Sequence, residues 1–195
     1  MRKGAKRAIV AAIIAAMSLR TNYADAAYNG RAAIKYAERW YGGYNLDKYY
    51  NAGLDCTNFV SQCLVAGGKT PSSTLPSYTS TSHWRPHSAT WENATYWRKY
   101  WKDKTSRCGR EFGNNKLSTN NDLYFHLNYG DVIQWGYSKT DIRHSQLVQR
   151  FKLRDDGIYT CYMIQHTSGL KDIDLYDYFN TTSYTYVCGY HFSAK

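Results

Sequence analysis

Apolar residues recur at Ala33, Tyr36, Ala37 and Trp40, the spacing of one face of a helix, and predict an amphipathic helix over residues 28 to 41. Asn29 stands where an N-cap belongs and Gly42-Gly43 supplies the stop. A second helical pattern opens at Cys56, where Cys56, Phe59, Val60, Cys63 and Leu64 share a face, Asp55 is placed to cap the start and Gly67-Gly68 ends the run. From Lys69 to Asn128 the pattern dissolves into serine, threonine, asparagine and aromatics. One helix around Ala94 to Lys102 is expected there, with long loops elsewhere. The last third changes period: Asp131 to Trp135, His144 to Lys152, Ile158 to His166 and Tyr184 to Phe192 read as strands. Arg154-Asp155-Asp156-Gly157 is a hairpin turn between the second and third of them. Helices first and strands afterwards imply an α+β fold, and no internal repeat, heptad array or glycine-rich phosphate loop interrupts it.

Composition changes this picture at the N-terminus. The chain has 195 residues, room for one ordinary domain. It carries 25 Lys and Arg against 15 Asp and Glu, a net +10. Residues 1 to 26 have the form of an export signal: Arg2, Lys3, Lys6 and Arg7, then an apolar run from Ala8 to Leu19, then Ala24-Asp25-Ala26 as a small-x-small cleavage site. Twelve apolar residues, at ~1.5 Å per residue, fall well short of a hydrocarbon core of ~30 Å, so stable membrane insertion after cleavage is not expected. Removing this leader takes away five basic residues and Asp25, leaving 20 basic against 14 acidic, a net +6 on residues 27 to 195. A secreted or cell-wall-associated domain of that charge is suited to an anionic wall polymer. Nucleic-acid binding has no motif to support it.

Five cysteines, Cys56, Cys63, Cys108, Cys161 and Cys188, leave at least one thiol outside any intramolecular pairing. Cys161 with Cys188 is the favoured pair because both fall on strands. Cys56 stands apart, in the first turn of a helix, where the partial positive charge of the N-terminus stabilises a thiolate. Cys63, two turns along the same face, reads as a core thiol. A nucleophilic cysteine needs a base, and the base an orienting group. His144 opens one strand of the predicted hairpin and His166 closes the next. With the turn centred between Asp155 and Asp156, paired residue numbers sum to 311 and His144 lies opposite residue 167; centred one residue later it lies opposite 169, and a small slip or bulge brings His166 beside it.

The words around these residues resemble a family. Asp55-Cys56-Thr57-Asn58-Phe59-Val60-Ser61-Gln62-Cys63, followed by Ala66-Gly67-Gly68, is similar to the signature of the "putative amidase domain" of Gram-positive bacteria, related to NlpC-type endopeptidases and CHAP amidases. The likeness continues through Gly130-Asp131-Val132-Ile133-Gln134, His144-Ser145, Leu147-Val148 and His166-Thr167, in order, over most of residues 28 to 192. The resemblance implies a papain-like cysteine hydrolase core, with the nucleophile at a helix N-terminus followed by a small antiparallel sheet. It implies Cys56 as nucleophile, His144 as general base and His166 as the polar third member. It also implies no cofactor or metal, and an amide substrate, with peptidoglycan the expected one. The oxyanion donors would be the backbone N–H of Cys56 and an upstream side chain in the Tyr49-Tyr50-Asn51 region.

Two other readings stay open. The 20 tyrosines and 6 tryptophans fit a non-catalytic wall- or glycan-binding module, and the same three residues would serve an acyltransferase. Trp97 and Trp101 fall at core spacing on the expected helix, Trp84 is a candidate for lining a groove, and Arg98 belongs to a basic cluster on the helix surface. His83 and His87 do not suit a helical metal site, because Pro86 interrupts the spacing.

Overall fold

A computed structural model describes residues 28–74 and 77–192. The predicted export signal lies outside the described residues. Within them the chain forms a mixed α+β domain built on one sheet of six strands, all paired antiparallel in the order β1-β6-β2-β3-β4-β5.

The first two helices are α1 (Gly30–Trp40) and α2 (Cys56–Ala66). The Asn29 side chain caps α1 by accepting from Ala32 N–H at 3.0 Å. Gly67 N–H closes α2 on the Cys63 carbonyl, and Gly68 follows with φ 103°. After them come α3 (Ala89–Glu92), α4 (Ala94–Trp101), β1 (Ser106–Glu111) and α5 (Lys116–His126). The tract expected to be mostly loops therefore holds two further helices and a strand. Helix α5 escapes the apolar periodicity because its buried side includes Thr119 and Asn120. The Asn120 amide donates to the Tyr159 carbonyl and its oxygen accepts from Thr160, so a polar residue faces the core without losing hydrogen bonds.

The C-terminal part is β2 (Val132–Ser138), β3 (Asp141–Leu153), β4 (Tyr159–Ile164), β5 (Ile173–Asp174), α6 (Leu175–Thr181) and β6 (Tyr186–His191). Alternation along the central strands feeds two cores. Val132, Leu147, Ile164, Cys188 and Tyr190 face α1, α2 and α4, with Phe59, Val60, Cys63, Leu64, Trp97 and Trp101 in the same cluster. Ile133, Trp135, Val148, Cys161, Met163 and Val187 face α5 and α6, packing with Leu123, Leu127, Leu175 and Phe179. Both faces of the sheet are covered, which is why these strands read as dense apolar runs.

Three expectations change. Cys161 and Cys188 lie on β4 and β6, separated by β2 and β3 and on opposite faces. At ~4.8 Å per strand that is about 14 Å, twice what a disulfide spans. Trp84 is fully buried against Trp91 and Trp101, with its indole N–H on Ser61 Oγ at 3.1 Å, so it lines no groove. Arg98 is buried rather than solvated, donating to the Lys139 carbonyl and to the hydroxyls of Tyr190 and Tyr186.

The hairpin register matters most for the site. Near the turn Leu153 pairs with Tyr159 and Arg150 with Tyr162, a sum of 312; beyond a bulge between Val148 and Arg150, Val148 pairs with Met163 and Leu147 with Ile164, a sum of 311. The bulge moves the open end of the hairpin by one residue, and that parity decides which side chain can meet His144.

Candidate active site

Cys56 is the first residue of α2, and its side chain is buried. Asp55 precedes it in helical conformation and gives its carbonyl to Phe59 N–H at 2.8 Å, but its carboxylate makes no capping bond. Instead Oδ2 holds His166 Nδ1, while Oδ1 accepts from Asn58 Nδ2 at 2.6 Å and from Ala52 N–H at 3.1 Å. The expected cap is thus a brace between the end of β4 and the start of α2. His166 is packed in place by Phe59, stacked at 5.1 Å, and by Tyr44, edge-on at 4.6 Å.

His144 lies on β3 opposite Trp135, next to a second irregularity where β2 bulges at Gly136. Its imidazole lies close enough to the Cys56 thiol for each to shift the titration of the other. Its Nε2 lies 2.8 Å from Gln165 Oε1, which leaves Nδ1 as the nitrogen for Cys56. Gln165, and not His166, is therefore the group that meets His144. In the 311 register His144 lines up with residue 167 and shares a face with Gln165, while His166 points to the other side, toward Asp55. The structure brings Cys56 and His144 together, and it holds His166 beside Asp55.

Electrostatics follow from these contacts. Burial pushes the Cys56 thiol up, but the hydrogen bond and charge of His144, the Thr57 hydroxyl and the Ser145 backbone N–H outweigh it and hold the thiol below its ordinary value. Burial pulls His144 down, and the bond and charge of Cys56 together with Gln165 more than reverse it. The pair is disposed to exist as thiolate and imidazolium. Cys63, two turns along α2 in the core, has its thiol pushed well up by burial.

Beneath the thiol runs a chain of polar groups that the sequence reading did not single out. Gln134 Nε2 donates to the Ala94 carbonyl at 3.1 Å and to Ser145 Oγ at 3.0 Å; Ser145 Oγ lies 2.9 Å from Thr57 Oγ1; and Thr57 Oγ1 lies 3.7 Å from Cys56 Sγ. Because Ser145 accepts from the amide, its own proton is available to Thr57, whose proton can then point at sulfur. Thr57 and Ser145 are the residues directly after Cys56 and His144, a signal present in the sequence once those two are paired. Upstream, Tyr49 stacks on Trp91, the Tyr50 hydroxyl donates to Glu92, and Asn51 Oδ1 accepts from Gly53 N–H at 2.8 Å. All three upstream side chains thus have partners other than the thiol.

Comparison with known proteins identifies the family. A family model described as "Putative amidase domain" matches residues 27–191. Over 119 residues the chain is 34% identical to a protein of Bacillus subtilis (strain 168) described as "Uncharacterized protein YjcM", covering 60% of this chain and 25% of that one. The chain thus spans about a quarter of the length of that curated relative. No solved structure matches. With the whole of the described sheet and both partners of the Cys56–His144 pair inside the matched segment, the chain belongs to the amidase domain family.

Proposed function

We propose that the protein is an exported cysteine amidase or peptidase that hydrolyses an amide bond, with bacterial peptidoglycan as its substrate and Cys56 and His144 as its catalytic pair on a papain-like core. The observation that carries the reading is the Cys56 thiol, held beside His144 at a helix N-terminus whose N–H groups Asp55 leaves uncapped. Gln165 takes the orienting place that the sequence had offered to His166.

The chemistry follows in two steps. The Cys56 thiolate attacks the amide carbonyl carbon, forming a C–S bond and an oxyanion beside the first N–H groups of α2. Collapse breaks the C–N bond as His144 gives its proton to the leaving amine, and a thioester remains. Water then attacks the thioester with His144 Nδ1 taking its proton. The C–S bond breaks, and acid and thiolate are restored. The +6 charge of residues 27 to 195 supports attraction to an anionic wall, and the leader-like residues 1 to 26 support export. The aromatic excess supports a binding module less well, since Trp84, Trp91, Trp97, Trp101 and Trp135 are all buried. An acyltransferase would differ only in replacing water by an amine.

The test is to incubate the protein and its Cys56→Ala variant with purified cell walls and muropeptides, and to read the products by mass spectrometry. New amine and carboxyl ends released by the parent alone are expected. Equal release by both proteins, or none from any wall fraction, would overturn the reading.

A further inference from the structure

Behind the catalytic pair, on the α6 side of the sheet, lies a line of buried side-chain amides of which the mechanism above uses only Gln165. Trp135 Nε1–H donates to Gln146 Oε1 at 2.7 Å. Gln146 Nε2 donates to Gln165 Oε1 at 2.6 Å. The same Gln165 oxygen faces His144 Nε2 at 2.8 Å, and Gln165 Nε2 donates to the Thr167 carbonyl at 2.6 Å. Trp135 and Gln146 are fully buried, and Gln165 and His144 are nearly so.

A glutamine amide can present oxygen or nitrogen in either direction, so a chain of glutamines alone has no polarity. This chain has two ends that cannot reverse. An indole N–H only donates, which turns the Gln146 oxygen toward Trp135 and its nitrogen toward Gln165. A backbone carbonyl only accepts, which turns the Gln165 nitrogen toward Thr167 and its oxygen toward His144. Both ends demand the same orientation of Gln165, and the oxygen it then presents can only receive a proton from His144. Trp135 is itself immobilised by Phe112, Phe179 and Tyr178 around its ring.

We propose that Trp135 and Gln146 are positioning residues that act through Gln165 to fix the proton of neutral His144 on Nε2, keeping the Nδ1 lone pair turned to Cys56 and to the hydrolytic water. This rests on His144 being the base of the amidase reaction. The opposite tautomer would present an N–H to the thiol and leave no base when water attacks the thioester. His144 and Gln146 stand two residues apart on one strand, so the pleat puts them on one face, and Trp135 is the cross-strand neighbour of His144.

The experiment uses the purified protein, with long-range proton–nitrogen correlation spectra of the His144 ring recorded above its titration. Alongside run Gln146→Glu, whose carboxylate still accepts from Trp135 but when ionised turns oxygen toward Gln165, and Trp135→Phe, which keeps a packed ring without the donor. The parent is expected to show Nε2–H alone. Gln146→Glu is expected to move the proton largely to Nδ1 as the introduced carboxyl group ionises, with kcat falling about 100-fold and KM little changed. Trp135→Phe is expected to give a measurable Nδ1–H fraction and a several-fold loss of kcat. A purely structural role would lower the melting temperature and leave the tautomer alone. The parental tautomer in both variants overturns the proposal, and if Gln146→Glu does not fold, Trp135→Phe decides it. The spectra need no substrate, so this inference and the amidase reading fail separately.

Discussion

Gln165 presents its side-chain oxygen to His144 Nε2 at 2.8 Å, while His166, the next residue, turns to the opposite side of the strand and is bonded to Asp55. Two adjacent polar residues thus serve different ends of the site. Gln165 orients the base, and His166 anchors the segment from which the nucleophile projects.

Their substitutions should therefore separate. Gln165→Leu is expected to lower the rate of amide hydrolysis about 100-fold with little loss of melting temperature, because a group that orients a general base is removed. His166→Leu should lower the melting temperature more and the rate less. Steady-state kinetics beside thermal denaturation checks this, and the reverse ranking would return the orienting role to His166.

The Cys56 thiol lies below its ordinary value and His144 above its own. As pH rises through the Cys56 value the thiolate forms, and as it rises through the His144 value the acid needed by the leaving amine is lost. Hydrolysis should follow a bell with these two limbs. Alkylation of Cys56 by iodoacetamide needs only the thiolate, so it should rise once, at a midpoint below that of a free thiol, and not fall again. In His144→Ala the midpoint should move up toward the free-thiol range.

Thr57→Val removes the hydroxyl nearest the sulfur and keeps the shape. A single hydrogen bond is worth about 1 kcal/mol, so the alkylation midpoint should rise by roughly 0.5 to 1 unit. An unchanged midpoint would show that the chain from Gln134 through Ser145 ends at Thr57 without reaching sulfur.

Asp55 is buried and holds His166, Asn58 and the Ala52 N–H together. Asp55→Ala leaves the buried His166 ring without its acceptor and takes one of the two acceptors of the Asn58 amide, and should cost about 2–3 kcal/mol in chemical denaturation. A loss below about 1 kcal/mol would mean that the brace contributes little to the fold.

Gly30 opens α1 against the start of β2. A methyl group there would strike the Tyr129 carbonyl, and Gly130, at φ 77°, meets Gly30 backbone to backbone. Gly30→Ala should destabilise by about 2–3 kcal/mol, by overpacking at a rigid contact, and denaturation midpoints would reveal it.

The local patterns were legible without coordinates. Ala33 to Trp40 and Cys56 to Leu64 have helical spacing, and the runs beginning at Asp131, His144, Ile158 and Tyr184 have strand character. Residues near in sequence decide such features through dihedral preference and one-sided burial. Lys116 to His126 was not legible, because Asn120 faces inward and finds its partners, Tyr159 and Thr160, only when the chain folds back. The site divides in the same way. Cys56 at a helix start and His144 at a strand start could be read from the order of the chain. The third group could not, because the turn starts the pairing at a sum of 312, which would favour His166, and a bulge between Val148 and Arg150 returns it to 311, so the slip needed to bring His166 to His144 does not occur. Since side chains alternate along a strand, that one residue sets Gln165 against His144 and His166 against Asp55, and only the tertiary pairing of β3 with β4 makes the choice.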